Sequence, residues 1–315
     1  MTSLSAPRSL FRLAWLALGF NVLVILWGAV VRATGSGAGC GAHWPTCNGS
    51  IVPLAPSMGT LIEYSHRATS GIALLLVALL LHRVLRHRDS GHLSRFWATA
   101  SMVLILSEAA LGAGLVLFER VAGDASTARG FWVSGHLINT FLLLAALTLT
   151  VRFVDRPLAL SSGGAFGPWR LTFSGASLSP ATGLAALAII ATGISGAIAA
   201  LGDTLFKART LSEALAQDFS SSSHIFLRLR ILHPLLAMMG GGLVLMVAYR
   251  TITSNPGRPG ARTLGLFLGG LVVVQWFLGL TNLVLLAPTW LQIVHLLMAD
   301  LIWMTLIFVA ADSDV

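Results

Sequence analysis

The chain has 315 residues, 56% of them hydrophobic and only 10% charged, with a formal net charge of +8. Soluble domains carry roughly 25% charged residues, so this composition excludes a soluble globular protein. The basic excess would suit a nucleic-acid partner, but its placement along the chain argues for topology instead.

Eight apolar runs, each near the roughly 20 residues that a bilayer span requires, follow one another at about 11–31, 67–85, 96–117, 131–151, 181–201, 231–249, 263–286 and 290–310. They predict an all-α membrane protein with eight transmembrane helices. The first run is followed by neither a small-residue cleavage pattern nor a soluble body, and reads as a retained span. After it comes a Gly- and Pro-rich loop, 32–65, holding His43 and the two cysteines, Cys40 and Cys47. Glu63-Tyr64-Ser65-His66-Arg67 leads into the second run. A basic loop with His82, His87 and His92, read as solvated, joins the second and third runs. The third run contains Glu108, and the fourth opens with His136.

The stretch 154–180 is rich in turn formers and reads as a linker. It divides the chain into an N-terminal half, 1–153, and a C-terminal half, 181–315. Loop 202–227 holds either an amphipathic helix from Leu205 to Phe219, suited to the membrane interface, or an ordinary packed loop. His233 opens the sixth run, Gln275 lies in the seventh and His295 opens the eighth.

With the N-terminus inside, the inner segments hold 12 of the 20 basic residues (Arg8, Arg12, Arg83, Arg86, Arg88, Arg95, Arg152, Arg156, Arg170, Arg250, Arg258 and Arg262) and four acids, Asp89, Asp155, Asp312 and Asp314. The whole excess falls on one face, as the positive-inside rule requires. The expectation is a multi-pass cell-membrane protein with both termini cytoplasmic, in contact with membrane lipid and with no nucleic-acid partner. Both cysteines then face the oxidising side, which favours a Cys40–Cys47 disulfide over two unpaired loop thiols.

An internal correspondence supports the division into halves. A shift of 167 places His66 on His233, Arg83 on Arg250, Glu108 on Gln275 and Leu111-Gly112 on Leu278-Gly279. A shift of 159 places His136 on His295, the last loop being shorter. From histidine to arginine the second helix of each half runs about 25 Å at ~1.5 Å per residue. Two parallel-repeat four-helix bundles are the expected architecture.

His66, His136, His233 and His295 each stand near the outer end of an even-numbered span. Ionisable groups inside spans are costly and are functional by default, although each imidazole could merely lock helix packing. Two imidazoles from facing helices suit axial ligation of a haem iron. Zinc or copper would recruit further Cys, His or carboxylate ligands at tight spacing, and none is supplied symmetrically. The halves differ at Glu63, whose counterpart is Arg230. Three residues from His66, it shares that ligand's helical face and suits a base, charge stabiliser or alternative ligand. The alternative is a helix-start acid favoured by the macrodipole.

Taken together, Gly28 through Cys40 with Pro45-Thr46-Cys47, then Glu63 to Arg67, His136-Leu-Ile-Asn139-Thr140, Ile231-Leu-His233-Pro234 and His295 resemble the haem A synthase family, in its disulfide-bearing form, over nearly the whole chain. The resemblance implies an oxidoreductase converting haem O, the product of a haem O synthase, to haem A for terminal oxidases. Two successive hydroxylations of the C8 methyl give a hydrate that loses water to leave a formyl group. It assigns His66 and His136 to the substrate haem, Glu63 to the reacting centre, and His233 and His295 to a haem b cofactor that passes electrons to an unknown acceptor. A dihaem b-type electron carrier is the competing reading, with two permanent haems and no chemical need for Glu63. A transporter fits less well, because its repeats are usually inverted and its helices broken at midplane.

Overall fold

The computed structural model describes residues 8–155, 179–254 and 259–312. Among them there is no strand, and eight helices are long and apolar enough to cross a membrane. These are α1 (Arg8–Ala33), α2 (Met58–His87), α3 (Leu93–Leu117), α4 (Thr127–Val154), α5 (Pro180–Leu205), the pair α7 (Ile225–Arg230) and α8 (Leu232–Ser254) forming one span, α9 (Pro259–Val284) and α10 (Thr289–Asp312). A short α6 (Leu211–Phe219) occupies the loop between the fifth and sixth spans, shorter than the helix predicted from Leu205. The predicted linker, 154–180, lies outside the described residues except at its edges.

Local chemistry fixes the ends of the helices. Ser57, Ser126, Ser179 and Thr210 each stand before a helix and accept a backbone N–H from its first turn, which satisfies a donor that would otherwise be orphaned. His92, read from the sequence as solvated, is buried instead. Its ring accepts from the Ser94 N–H and caps α3. His82 and His87 are exposed, as expected.

Helices α2, α4 and α7 start well before the apolar runs they lead into, because a helix continues through polar residues until a cap stops it. As a result His66 is the ninth residue of α2 and His136 the tenth of α4. His233 is the ninth counted from Ile225, and His295 the seventh of α10. All four therefore lie about two turns inside their helices, at similar depth.

Helices α1 to α4 pack in a closed ring, each on the next and α1 on α4; α5, α8, α9 and α10 do the same. The rings share a seam in which α4 packs on α5 and α10, and α1 on α10. In lipid, apolar burial does not drive helices together; close van der Waals packing and interhelical hydrogen bonds do. Both are present here. Trp303 on α10 donates its indole N–H to Phe141 O on α4 at 2.7 Å. Phe141 in turn fills the space left by Gly193 on α5, where a Cβ would stand 2.5 Å from its ring. At the opposite end, Arg152 of α4 pairs with Asp312 of α10. The apolar side chains left exposed on the outer faces of the spans, such as Leu23, Leu75, Leu187 and Phe277, are what a lipid-facing surface requires. This is a multi-pass membrane protein.

Candidate functional site

Each of the four histidines projects from an even-numbered span against a glycine of the span before it. A Cβ on Gly28 of α1 would stand 3.1 Å from the His66 ring, and one on Gly112 of α3 3.5 Å from His136. On Gly196 of α5 it would stand 2.8 Å from His233, and on Gly279 of α9 3.3 Å from His295. The missing side chain is what lets each imidazole lie against the neighbouring backbone. The sequence carried this signal in the Gly112–Gly279 correspondence, but the pairing of each glycine with a histidine is visible only in three dimensions.

The rings are oriented by specific partners. His136 Nδ1 is 2.7 Å from Glu108 Oε1, and the same carboxylate accepts from Asn139 Nδ2 and Thr140 Oγ1, both at 2.5 Å. His233 Nδ1 lies 3.2 Å from both Thr192 O and Ser195 Oγ on α5. His295 differs, its Nε2 rather than its Nδ1 lying 3.3 Å from Gln275 Nε2. Glu108 and Gln275 are counterparts in the internal correspondence, so one histidine has a carboxylate beside it where the other has an amide. The sequence placed Glu108 in the third run but did not identify His136 as its partner.

His233 and His295 face each other across the second ring of helices, with ring centroids 6.3 Å apart and planes at 82°. Two imidazoles on opposite sides of one metal, bonded at roughly 2 Å with each ring centre about 1 Å further on, stand about 6 Å apart. His66 and His136 project into the first ring of helices, against Gly28 of α1 and Gly112 of α3. The Nδ1 atoms of His66 and His295 are buried without a hydrogen-bond partner. The donor set and the spacing of the His233–His295 pair fit a bis-imidazole haem. No group of three or more metal-ligating side chains occurs among the described residues.

Glu63 is 3% exposed. Its Oε2 accepts the Cys40 N–H at 2.8 Å, and its Oε1 pairs with Arg67. Arg67 also donates to His43 O at 2.6 Å and Thr46 O at 2.7 Å. The acid and its arginine therefore clamp the loop that the Cys40–Cys47 disulfide closes. Both cysteines are buried. Closing a loop of this length lowers the entropy of the unfolded chain by about 2.5 kcal/mol. The Cys40→Ser/Cys47→Ser double variant should lose that much stability in detergent unfolding, and a reductant should lower the wild type to the same level while leaving the variant unchanged.

Asp300 is another residue that sequence reasoning missed. It is buried five residues inward of His295, and neither carboxylate oxygen has a hydrogen-bond partner.

Eight spans, with four histidines about two turns inside their helices, define a polytopic helical membrane protein. The chain belongs to the cytochrome oxidase assembly protein family, COX15-CtaA, whose model matches residues 11–307. It is 45% identical over 300 residues, 95% of its length, to a protoheme IX farnesyltransferase of Thermus thermophilus, covering 48% of that protein. Over 129 residues it is 37% identical to a heme A synthase of Alkalihalophilus pseudofirmus and 44% identical to one of Shouchella clausii, about 40% of each chain being aligned. The chain thus spans about half the length of the curated relatives it matches, or less.

Proposed function

We propose that this protein is a haem A synthase, oxidising the C8 methyl of haem O to the formyl group of haem A. Each hydroxylation replaces a C–H by a C–OH, taking the oxygen from water and releasing two protons and two electrons, the electrons to an external acceptor. The first gives an alcohol, the second a hydrate, and loss of water leaves the aldehyde. The arrangement of the histidines carries the reading: a pair at axial-ligand spacing in one ring of helices, and a second pair, with a carboxylate on one imidazole, in the other. Family membership and the heme A synthase relatives support it. The farnesyltransferase relative is about twice the matched length, so its printed activity need not lie in the matched half. It supports a working link to the enzyme that supplies farnesylated haem.

In this reading His66 and His136 hold the substrate haem in the N-terminal half, 1–153. His233 and His295 hold haem b in the C-terminal half, 181–315. Haem b supplies one-electron transfer toward an external acceptor. Glu108 fixes the tautomer and orientation of His136 and raises its basicity, as carboxylates beside ligand histidines do. Glu63 stands one turn from His66, and its bonds to Cys40 and Arg67 suit a fixed negative charge that also holds the disulfide loop over the site. To take a proton, it would first have to release Arg67.

Coexpression with an active haem O synthase under aerobic conditions, followed by pigment extraction, tests the activity. Haem A is expected; haems B and O alone would refute it. Glu63→Ala should lower haem A yield by at least about tenfold, the scale of a lost acid–base or charge contribution, while the haem b spectrum stays. Loss of that spectrum would mean that Glu63 mainly supports the fold.

A further inference from the structure

Two arginines at the histidine end of the molecule, Arg129 buried and Arg32 half-buried, have no acid of their own. Arg32, near the end of α1, crosses the seam: it donates to Ala200 O at 2.9 Å and Thr204 Oγ1 at 3.0 Å on α5, and to Gln292 Oε1 at 2.7 Å on α10. Arg129, in the first turn of α4, is 3% exposed. It donates to Ala122 O at 2.6 Å and Asp124 O at 2.8 Å, and its Nε–H has no partner. None of these acceptors is a carboxylate, and both arginines stand at the place where α4 and α5 meet, Gly130 of α4 and Gly202 of α5 both packing on Phe226.

The acids within electrostatic range are engaged elsewhere. Asp203, near Arg32, is paired with Arg230 at 2.5 Å. Asp124, near Arg129, accepts from Ser126 N–H at 2.9 Å, from the Ser126 hydroxyl at 2.8 Å and from Arg120. A buried charge needs a partner, and the spare N–H of Arg129, with Arg32 in the same seam, fits a carboxylate, which Arg binds through its planar donor fork.

The place of this pair suggests which carboxylate. Gln292, which Arg32 holds, is three residues, one helical turn, before His295. Arg129 is seven residues, two turns, before His136. Its neighbour Gly130 packs on Phe226, where a Cβ would lie 3.0 Å from the ring, and Phe226 is in the span that carries His233. The pair therefore sits in the seam above both sets of histidines.

We propose that Arg32 and Arg129 form a carboxylate cradle that takes a propionate of a porphyrin held by the histidine pairs. The inference rests on the haem reading above. Either porphyrin could supply the propionate, so the experiment separates the two.

The full chain, produced in haem-starved cells, is titrated in detergent with protohaem and with its dimethyl ester, and bis-imidazole absorbance is followed. The wild type should bind protohaem at least about tenfold more tightly than the diester, on the scale of a charge-assisted hydrogen bond. Arg32→Gln and Arg129→Gln should bring that ratio close to one with diester affinity unchanged, and Arg129→Lys should keep part of it. In His136→Ala, a surviving preference assigns the propionate to the His233–His295 porphyrin; in His295→Ala, it assigns it to the other.

Equal affinities in the wild type would overturn the proposal, whatever the variants do. So would a preference that survives both glutamine variants, or variants that weaken both porphyrins alike. If neither porphyrin gives the bis-imidazole band, the haem reading itself fails and the cradle falls with it.

Discussion

Gly196→Ala is expected to weaken the binding of haem at the C-terminal pair by roughly 5- to 150-fold, the equivalent of the 1–3 kcal/mol that overpacking costs in a tight interior. The added methyl would stand 2.8 Å from His233 Cε1 and 3.2 Å from its Nδ1. The ring would have to turn away from Thr192 O and Ser195 Oγ, which now orient it. Gly112→Ala, with its nearest atom at 3.5 Å, should change His136 little. Gly183→Ala is the control on the same helix as Gly196. A Cβ there meets nothing within 4 Å, and alanine is the better helix former by about 1 kcal/mol. Haem content and low-spin absorbance of the purified variants measure the effect. Equal loss in all three would show that helix packing in general, rather than the seat of the ring, is at stake.

Changing the partners of His295 and His136 should lower the haem b midpoint at one site and the haem A yield at the other. Gln275→Glu would place a carboxylate on the His295 imidazole, where negative charge favours the oxidised iron. A charge-assisted hydrogen bond contributes about 1.5–3 kcal/mol, so the haem b midpoint should fall by about 65–130 mV. Glu108→Gln removes the corresponding charge from His136 and leaves Asn139 and Thr140 with a poorer acceptor. Haem A yield should then drop by about 10- to 100-fold, the usual cost of losing a ligand's supporting carboxylate. Potentiometric titration of Gln275→Glu and pigment analysis of Glu108→Gln read the two effects separately. An unshifted haem b midpoint would show that Gln275 does not reach the ligand's electronics.

Much of the architecture was legible along the chain because the bilayer imposes a one-dimensional rule. Each span must satisfy its own backbone hydrogen bonds, so it must be helical, and it must be apolar over about 20 residues. That rule located all eight spans, and the clustering of arginines predicted their orientation. The limits of the helices were less legible. Hydropathy marks where lipid begins, whereas Ser57 and Ser126 mark where α2 and α4 begin. His92 was misread for a related reason: in a basic loop a histidine looks solvated until the cap it forms on α3 is seen.

The sequence by itself determined the class of protein, the number of spans, the four histidines and their matching positions, and the cysteine pair. These are properties of composition and spacing. Only the tertiary structure decided what surrounds each imidazole: the glycine that makes room for it, Glu108 beside one ring and Gln275 beside another, and Arg32, which crosses the seam. Such contacts join residues 20 to 260 positions apart. In a membrane, helices associate through close packing and a few hydrogen bonds rather than through the hydrophobic effect. Which faces meet therefore depends on small residues and polar side chains that carry little signal along the sequence.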